Sequence, residues 1–209
     1  MSDRVQASPR EIQLADWRRR VAELYAAVRA HDEPASAWRL WREERDRLFA
    51  CHPQSPLSHE QRGSFAALEY YPYDPNYRFE VDIAPCDVPP VKVAVGRDGT
   101  LRLVPSGQTR GLADRLGGEL IVYWMAGYGG GLFLPFTDAT SGALTYGGGR
   151  YVLDGIKGAD LGMSEDGRRL ILDFNFSYYP SCVHNNEWVC PLAPAGNRLP
   201  LAVTAGQRG

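Results

Sequence analysis

The sequence predicts an α+β fold that is mainly β. An N-terminal helical pair occupies residues 1–52, and an antiparallel barrel-like or strongly bent sheet follows over residues 53–209, the two forming one compact unit. Three observations predict this. Apolar residues recur at steps of three and four up to about residue 50, the spacing of one helix face. From residue 51 they alternate instead, in about eight short runs broken by glycine and proline. No internal repeat, low-complexity linker or heptad pattern interrupts either part. With 209 residues, 44% of them hydrophobic, the chain can bury a core without metal or disulfide staples.

The elements follow in order. Residues 8–30 read as an amphipathic helix in which Ser8 is the expected N-cap, Pro9 the first helical residue and Glu11 the capping-box partner. Leu14, Trp17, Val21, Leu24, Tyr25 and Val28 form its apolar stripe. "HDEP" breaks that helix and starts a second, from about Pro34 to Ala50, with Trp38, Trp41, Leu48 and Phe49 on one face. Arg45 shares that face. Either its stem packs on tryptophan while the guanidinium reaches water, or it reaches a buried carboxylate or an anionic ligand. "CHPQSPLSHEQRG" reads as a loop with a short helical turn, and "YYPYDPNYRFEVDIAP" becomes a strand near Tyr77 to Ile83. "VKVAVGRDGTLRLV" is a hairpin signal: Val91, Val93 and Val95 alternate, Asp98-Gly99 suits a type I′ turn, and Leu101 and Leu103 resume the pattern. "ELIVYWMAGYGGGLFLPF" supplies two strands, and "RYVLDGI", "RRLILDFNF" and "RLPLAVTA" supply three more.

Charge and motifs exclude several function classes. The net charge is −2, and residues 1–50 hold ten basic and nine acidic side chains, so the basic surplus that phosphate neutralisation requires is missing. Nucleic acid is therefore not an expected partner. No apolar run approaches the ~20 residues that span a bilayer, so no membrane is expected either. "MSDRVQASPREIQ" has no apolar h-region; the expected location is the cytoplasm, with Cys51, Cys86, Cys182 and Cys190 as thiols or ligands rather than disulfides. There is no phosphate loop, no G-x-S-x-G elbow, no H-E-x-x-H and no C-x-x-C; "GYGGGL" ends in Leu132 and fails G-x-G-x-x-G. No cofactor is named by any of these patterns.

"LFLPFTDATSGALTYGGGRYVLD" and "LDFNFSYYPSCVHNNEWVCPLAPAGNRLPLAVTAGQ", together with the "SPL" loop and "YYPYDPNYRF", resemble the domain of unknown function 1684 family of bacterial and archaeal proteins, over nearly the whole chain. The resemblance implies no established activity. It implies which positions the family's pattern includes: Phe136, Asp138, Thr140, Gly142, Thr145 to Tyr151, and then Asp173, Phe174, Asn175, Tyr178, Pro180, Cys182, Cys190, Pro191 and Asn197. His184 stands outside that pattern, where an aromatic residue is more usual, which weighs against a histidine-based metal site.

The residues themselves mark one polar constellation. If "LILDFNF" is one strand, Leu170, Leu172, Phe174 and Phe176 face one way and Ile171, Asp173 and Asn175 the other. "FTDATSGALTYGGGRY" supplies Asp138 and Thr140 in turn chemistry, three glycines able to present amides to an anion, and Arg150. Convergence of the two segments on one hollow would create a site for a small polar ligand. Asp138 and Asp173 would then be candidate general bases and Arg150 a candidate clamp for hydrolysis or group transfer, with Thr140, Tyr146, Gly148, Gly149, Asn175, Tyr178, Cys182 and Asn197 as candidate ligand contacts. The alternative is a non-catalytic structural or interaction module in which the same Asp/Arg/Asn network ties loops together; an exposed Trp17/Trp38/Trp41 surface would mark it. Cys182, His184 and Cys190 are weak candidate zinc ligands, since a fourth donor must come from elsewhere. A Cys182–Cys190 disulfide, a reactive thiol and inert buried thiols are the other readings of the pair.

Overall fold

A computed structural model of the chain describes residues 9–95 and 99–209. Two helices come first, α1 (Arg10–Arg29) and α2 (Pro34–Cys51), then a short α3 (His59–Ser64). Pro9 stands at the N-cap position of α1 and offers no side-chain cap. The first helical residue is therefore Arg10 and not the expected Pro9, and the expected N-cap Ser8 lies outside the described residues. α2 starts on Glu33, whose carboxylate accepts from the amides of Ala35 and Ser36. The turn read in "SPLSHEQRG" is α3, closed by a reciprocal Ser58/Gln61 capping box.

The remainder forms a seven-stranded antiparallel sheet that is nearly closed into a barrel. Its strands are β1 (Arg78–Ala84), β2 (Val91–Ala94), β3 (Thr100–Arg110), β4 (Ile121–Met125), β5 (Gly131–Phe136), β6 (Arg150–Asp154) and β7 (Leu170–Asp173), with a one-turn α4 (Ala113–Leu116) after β3. The spatial order is β6-β5-β4-β3-β1-β7, with β2 paired to β3. The hairpin falls where the alternation placed it, with Val91 opposite Leu103 and Val93 opposite Leu101; Asp98 of its turn lies outside the described residues. β3 is the longest strand. It bends at a bulge between Pro105 and Gly107, which lets its first half pair with β2 and its second half with β1. The opening between β6 and β7 is bridged just past β7, where Tyr151 and Tyr178 exchange two backbone hydrogen bonds of 2.9 and 3.1 Å.

Two apolar cores result. One fills the barrel interior with Val81, Val122, Leu134, Phe136, Val152, Leu172 and Phe174. The other lies between the sheet's opposite face and the helical pair, where Trp41, Tyr25 and Trp38 meet Leu103, Tyr123, Phe133 and Tyr151. Strand alternation produces this division: along β4, Ile121, Tyr123 and Met125 face the helices while Val122 faces inward.

Two strand expectations are corrected. "LILDFNF" is a strand only to Asp173; Phe174–Phe176 form a 3-10 turn because the Asp173 carboxylate accepts the Asn175 amide at 3.0 Å and caps it. "RLPLAVTA" is not a strand of the sheet. It is an irregular segment that buries Leu199, Val203 and Ala205; it is joined to the sheet region through Thr137 at Arg198 and Leu199, and further on its carbonyls are taken by a side chain, Arg150.

Candidate functional site

Asp138 lies two residues beyond the end of β5, and Arg150 opens β6, the neighbouring strand. The antiparallel pairing of β5 and β6 sets Arg150 opposite Phe136, and this register brings its guanidinium to Asp138. Arg150 Nη2 donates to Asp138 Oδ2 at 2.8 Å, and both side chains are about 1% exposed. Asp138 Oδ1 accepts from the Thr140 amide at 2.7 Å and the Thr140 hydroxyl at 2.6 Å. Thr140 Oγ1 lies 2.8 Å from Thr145 Oγ1. Arg150 also donates to the carbonyls of Val203, Ala205 and Gln207, with its Cζ 5.1 Å from the Phe136 ring centre. One ion pair therefore holds the loop after β5 and the C-terminal segment together. Gly149 is required beside it. Its φ is +93°, and any Cβ there would collide with the Phe136 carbonyl. The Gly149 amide donates to the Tyr146 carbonyl, so it belongs to the turn and not to an anion nest.

Asp173 and Asn175 form a second network. Asp173 Oδ1 accepts from the Asn175 amide and from Asn175 Nδ2 at 2.8 Å, while Oδ2 lies 3.4 Å from the Tyr73 hydroxyl and 3.8 Å from Arg78 Nη1. Asn175 closes a two-way clasp on Asp74, accepting from its amide at 3.0 Å and donating to its carbonyl at 2.8 Å. The Asn175 carbonyl accepts from Trp38 Nε1 at 2.9 Å, which fastens α2 to the sheet. Burial pushes the Asp173 carboxyl up to about 6, against the opposing pull of its Asn175 bonds and Arg78.

The structure thus gathers the predicted polar residues into two groups. No hydrogen bond or ion pair joins them among the described residues; the contacting rings of Phe136 and Phe174, 5.0 Å apart, connect the two instead. Asn197 belongs to a third clasp, accepting from the Ile121 amide and donating to the carbonyls of Ile121 and Pro135. Tyr178 lies in the aromatic layer under α2, its ring 4.7 Å from Arg45 Cζ. Arg45 turns inward, stacked 4.8 Å from Trp41 and donating to the Tyr70 hydroxyl at 3.0 Å. Among the described residues no carboxylate lies within ion-pair distance of it. Trp38 and Trp41 are buried and Trp17 is half-buried.

The cysteine corner also divides. His184 packs edge-on against Phe49 at 5.1 Å, and burial with the nearby Arg45 charge holds its pKa down to about 4. Cys182 is half-buried and Cys190 buried, and both are free thiols. Among the described residues no three His, Cys, Asp or Glu side chains are grouped to hold a metal ion.

Sequence reasoning passed over one feature. A hollow of about 710 Å³ opens beside the turn at 142–147, lined by Glu69, Tyr71, Thr145, Tyr146, Val183 and Arg208. Gly148 lies next to it, where a Cβ would strike the Tyr146 ring. Arg208 Cζ sits 5.5 Å over the Tyr71 ring, and its Nε lies 3.8 Å from Glu69. Nothing in the local pattern at residues 69–71 or 208 announces this. Their pairing arises only when Tyr71 donates its amide to the Gly206 carbonyl, and Arg208 its own to Glu69. A larger groove of about 1280 Å³ runs beside the helical pair, where Asp16 pairs with Arg19 and Arg20, and Glu44 with Arg47.

Comparison with known proteins agrees with this separation of geometry from known chemistry. The model of a family described as a protein of unknown function (DUF1684) matches residues 63–208. A solution NMR structure of an uncharacterised protein from Haloarcula marismortui is similar, with 34% sequence identity and a TM-score of 0.52, over 80% of this chain and 90% of that one. No curated protein matches the chain.

Proposed function

The chain belongs to the DUF1684 family of proteins of unknown function, and from that premise we propose that it is a non-catalytic binding module for a small polar molecule, taken up in the hollow between the 142–147 turn and the C-terminal segment. One observation carries this reading: a single buried ion pair grips both walls. Asp138 holds the turn through Thr140 and Thr145, a lining residue. Arg150 holds the opposite wall through the carbonyls of Ala205 and Gln207, next to the lining Arg208. Such a pair costs desolvation, and here its bonds reach both walls.

Asp138, Arg150 and Asp173 are at most about 1% exposed. A general base must come within hydrogen-bonding reach of a substrate proton, and these carboxylates already accept from the fold. We assign them to positioning and place recognition on Tyr71, Tyr146, Glu69 and Arg208. Together these offer one guanidinium, one carboxylate and two aromatic faces, a set that suits a small molecule bearing both donors and acceptors. Burial of Trp38 and Trp41, with Trp17 half-buried, weighs against an exposed tryptophan surface on the helical pair.

The test is native mass spectrometry of the full chain after incubation with a metabolite extract. The wild type retains a small-molecule adduct, and Arg208→Ala and Tyr71→Ala each reduce its occupancy at least about tenfold, the scale of losing one charge-assisted or stacking contact. Equal occupancy in all three would remove the hollow as the binding site.

A further inference from the structure

One charge in the core is answered by none of these networks. Arg45 turns from α2 into a ring of aromatic side chains. Its Cζ lies 4.8 Å from the ring centre of Trp41, 5.3 Å from that of Phe49 and 4.7 Å from that of Tyr178. Its Nε donates to the Tyr70 hydroxyl at 3.0 Å. Its Nη2 is buried and meets no acceptor among the described residues. A guanidinium keeps its proton inside a protein, so the charge stays. Two buried or half-buried carboxylates of the region are engaged elsewhere. Asp46, the next residue on α2, accepts the Leu68 amide at 2.9 Å, and Asp154 pairs with Lys157 at 3.3 Å. The ring faces attract the cation, yet they offer Nη2 no oxygen acceptor.

Two neighbours share this deficit. Trp41 stands one turn before Arg45 and is fully buried, and its Nε1 has no partner. Tyr25 of α1 meets the Trp41 ring edge-on, with ring centres 6.4 Å apart, and its hydroxyl is buried without a partner too. A buried donor left unpaired is costly. Here such donors sit on a run of touching side chains, Arg45 on Trp41 and Trp41 on Tyr25, and one of them carries a full charge. Arg45 keeps part of its surface open, so the cage is not sealed.

We propose that this cage is an internal binding site for a compact monoanion of halide size, held by Arg45 Nη2, Trp41 Nε1 and the Tyr25 hydroxyl. The sign of the ligand follows from the donor set: the Tyr70 oxygen is already taken by Arg45 Nε, and the other polar atoms donate. Its size follows from three rings crowding one guanidinium. The bound anion ties α1 to α2 through Tyr25, Trp41 and Arg45. None of these residues lines the hollow at the 142–147 turn, so the site stands apart from the binding proposed there.

The experiment titrates the folded full chain with sodium iodide, holding ionic strength with sodium gluconate, and follows tryptophan fluorescence. Iodide in bulk reaches Trp124, which is 43% exposed, and quenches it in linear proportion. Trp41 is 0% exposed, so an iodide in the cage adds a saturating component. Arg45→Met removes that component. Tyr25→Phe keeps the ring, loses one donor and raises the saturation midpoint about tenfold, the scale of one hydrogen bond to a charged group; it carries the test should Arg45→Met not fold. Wild-type crystals soaked in sodium bromide show an anomalous peak within hydrogen-bonding distance of Arg45 Nη2. Purely linear quenching of the wild type overturns the proposal. So does a saturating component whose midpoint is unchanged in Tyr25→Phe or that survives Arg45→Met, and so do bromide peaks confined to the protein surface.

Discussion

Single residues decide how the polar groups behave. Asp173 is fully buried with a carboxyl raised to about 6, against about 3.9 for an unfolded aspartate. The folded chain therefore binds this proton more tightly than the unfolded chain. The group's contribution is neutral below about pH 4. Stability then falls as pH rises from 4 to 6, by up to about 3 kcal/mol, and stays lowered above that. Asp173→Asn keeps an acceptor for the Asn175 amide and removes the charge. Its urea-unfolding free energy is expected to lose the 4-to-6 slope of the wild type; an unchanged slope would place the titration elsewhere. Asp138 instead has a fully buried guanidinium as its partner. Asp138→Asn leaves Arg150 uncompensated and is expected to cost about 3–5 kcal/mol in the same measurement; a loss under 1 kcal/mol would deny the pair its holding role. The acidic and basic types of this constellation were legible in the sequence, as was the turn chemistry of Asp138. Their burial was not, since a strand can present the same residues to water or to a closed interior.

At the scale of elements, the two long helices and six of the strands follow from periodicity, and the departures have local causes. β7 stops at Asp173 because a side chain outcompetes the ladder for the Asn175 amide. "RLPLAVTA" carries strand-like alternation, yet Arg150 supplies the donors that its carbonyls at Val203 and Ala205 take. That substitution joins residues 53 to 55 positions apart, which no window of local pattern reveals. Asn197 performs a similar service, accepting from the Ile121 amide as a neighbouring strand would. Asn197→Ala leaves buried amide and carbonyl groups on β4 and β5 unpaired and is expected to cost about 3 kcal/mol. Hydrogen exchange gives the check: faster exchange of the Ile121 amide in the variant supports the clasp, and unchanged protection contradicts it.

Across the whole molecule, the barrel has two occupied faces, one filled by its own side chains and one covered by the helical pair through Trp38, Trp41 and Tyr25. The Asp173–Asn175 clasp secures that cover, while the Asp138–Arg150 pair secures the walls of the hollow beyond the 142–147 turn. On the proposed reading, fold and recognition depend on different residues, and substitution can separate them. The most direct measurement is native mass spectrometry of Asp173→Asn beside the wild type in the same metabolite extract. A small-molecule adduct of equal occupancy in both is the predicted result. An adduct that disappears from Asp173→Asn while its unfolding transition stays cooperative would make that carboxylate a ligand contact and contradict the account.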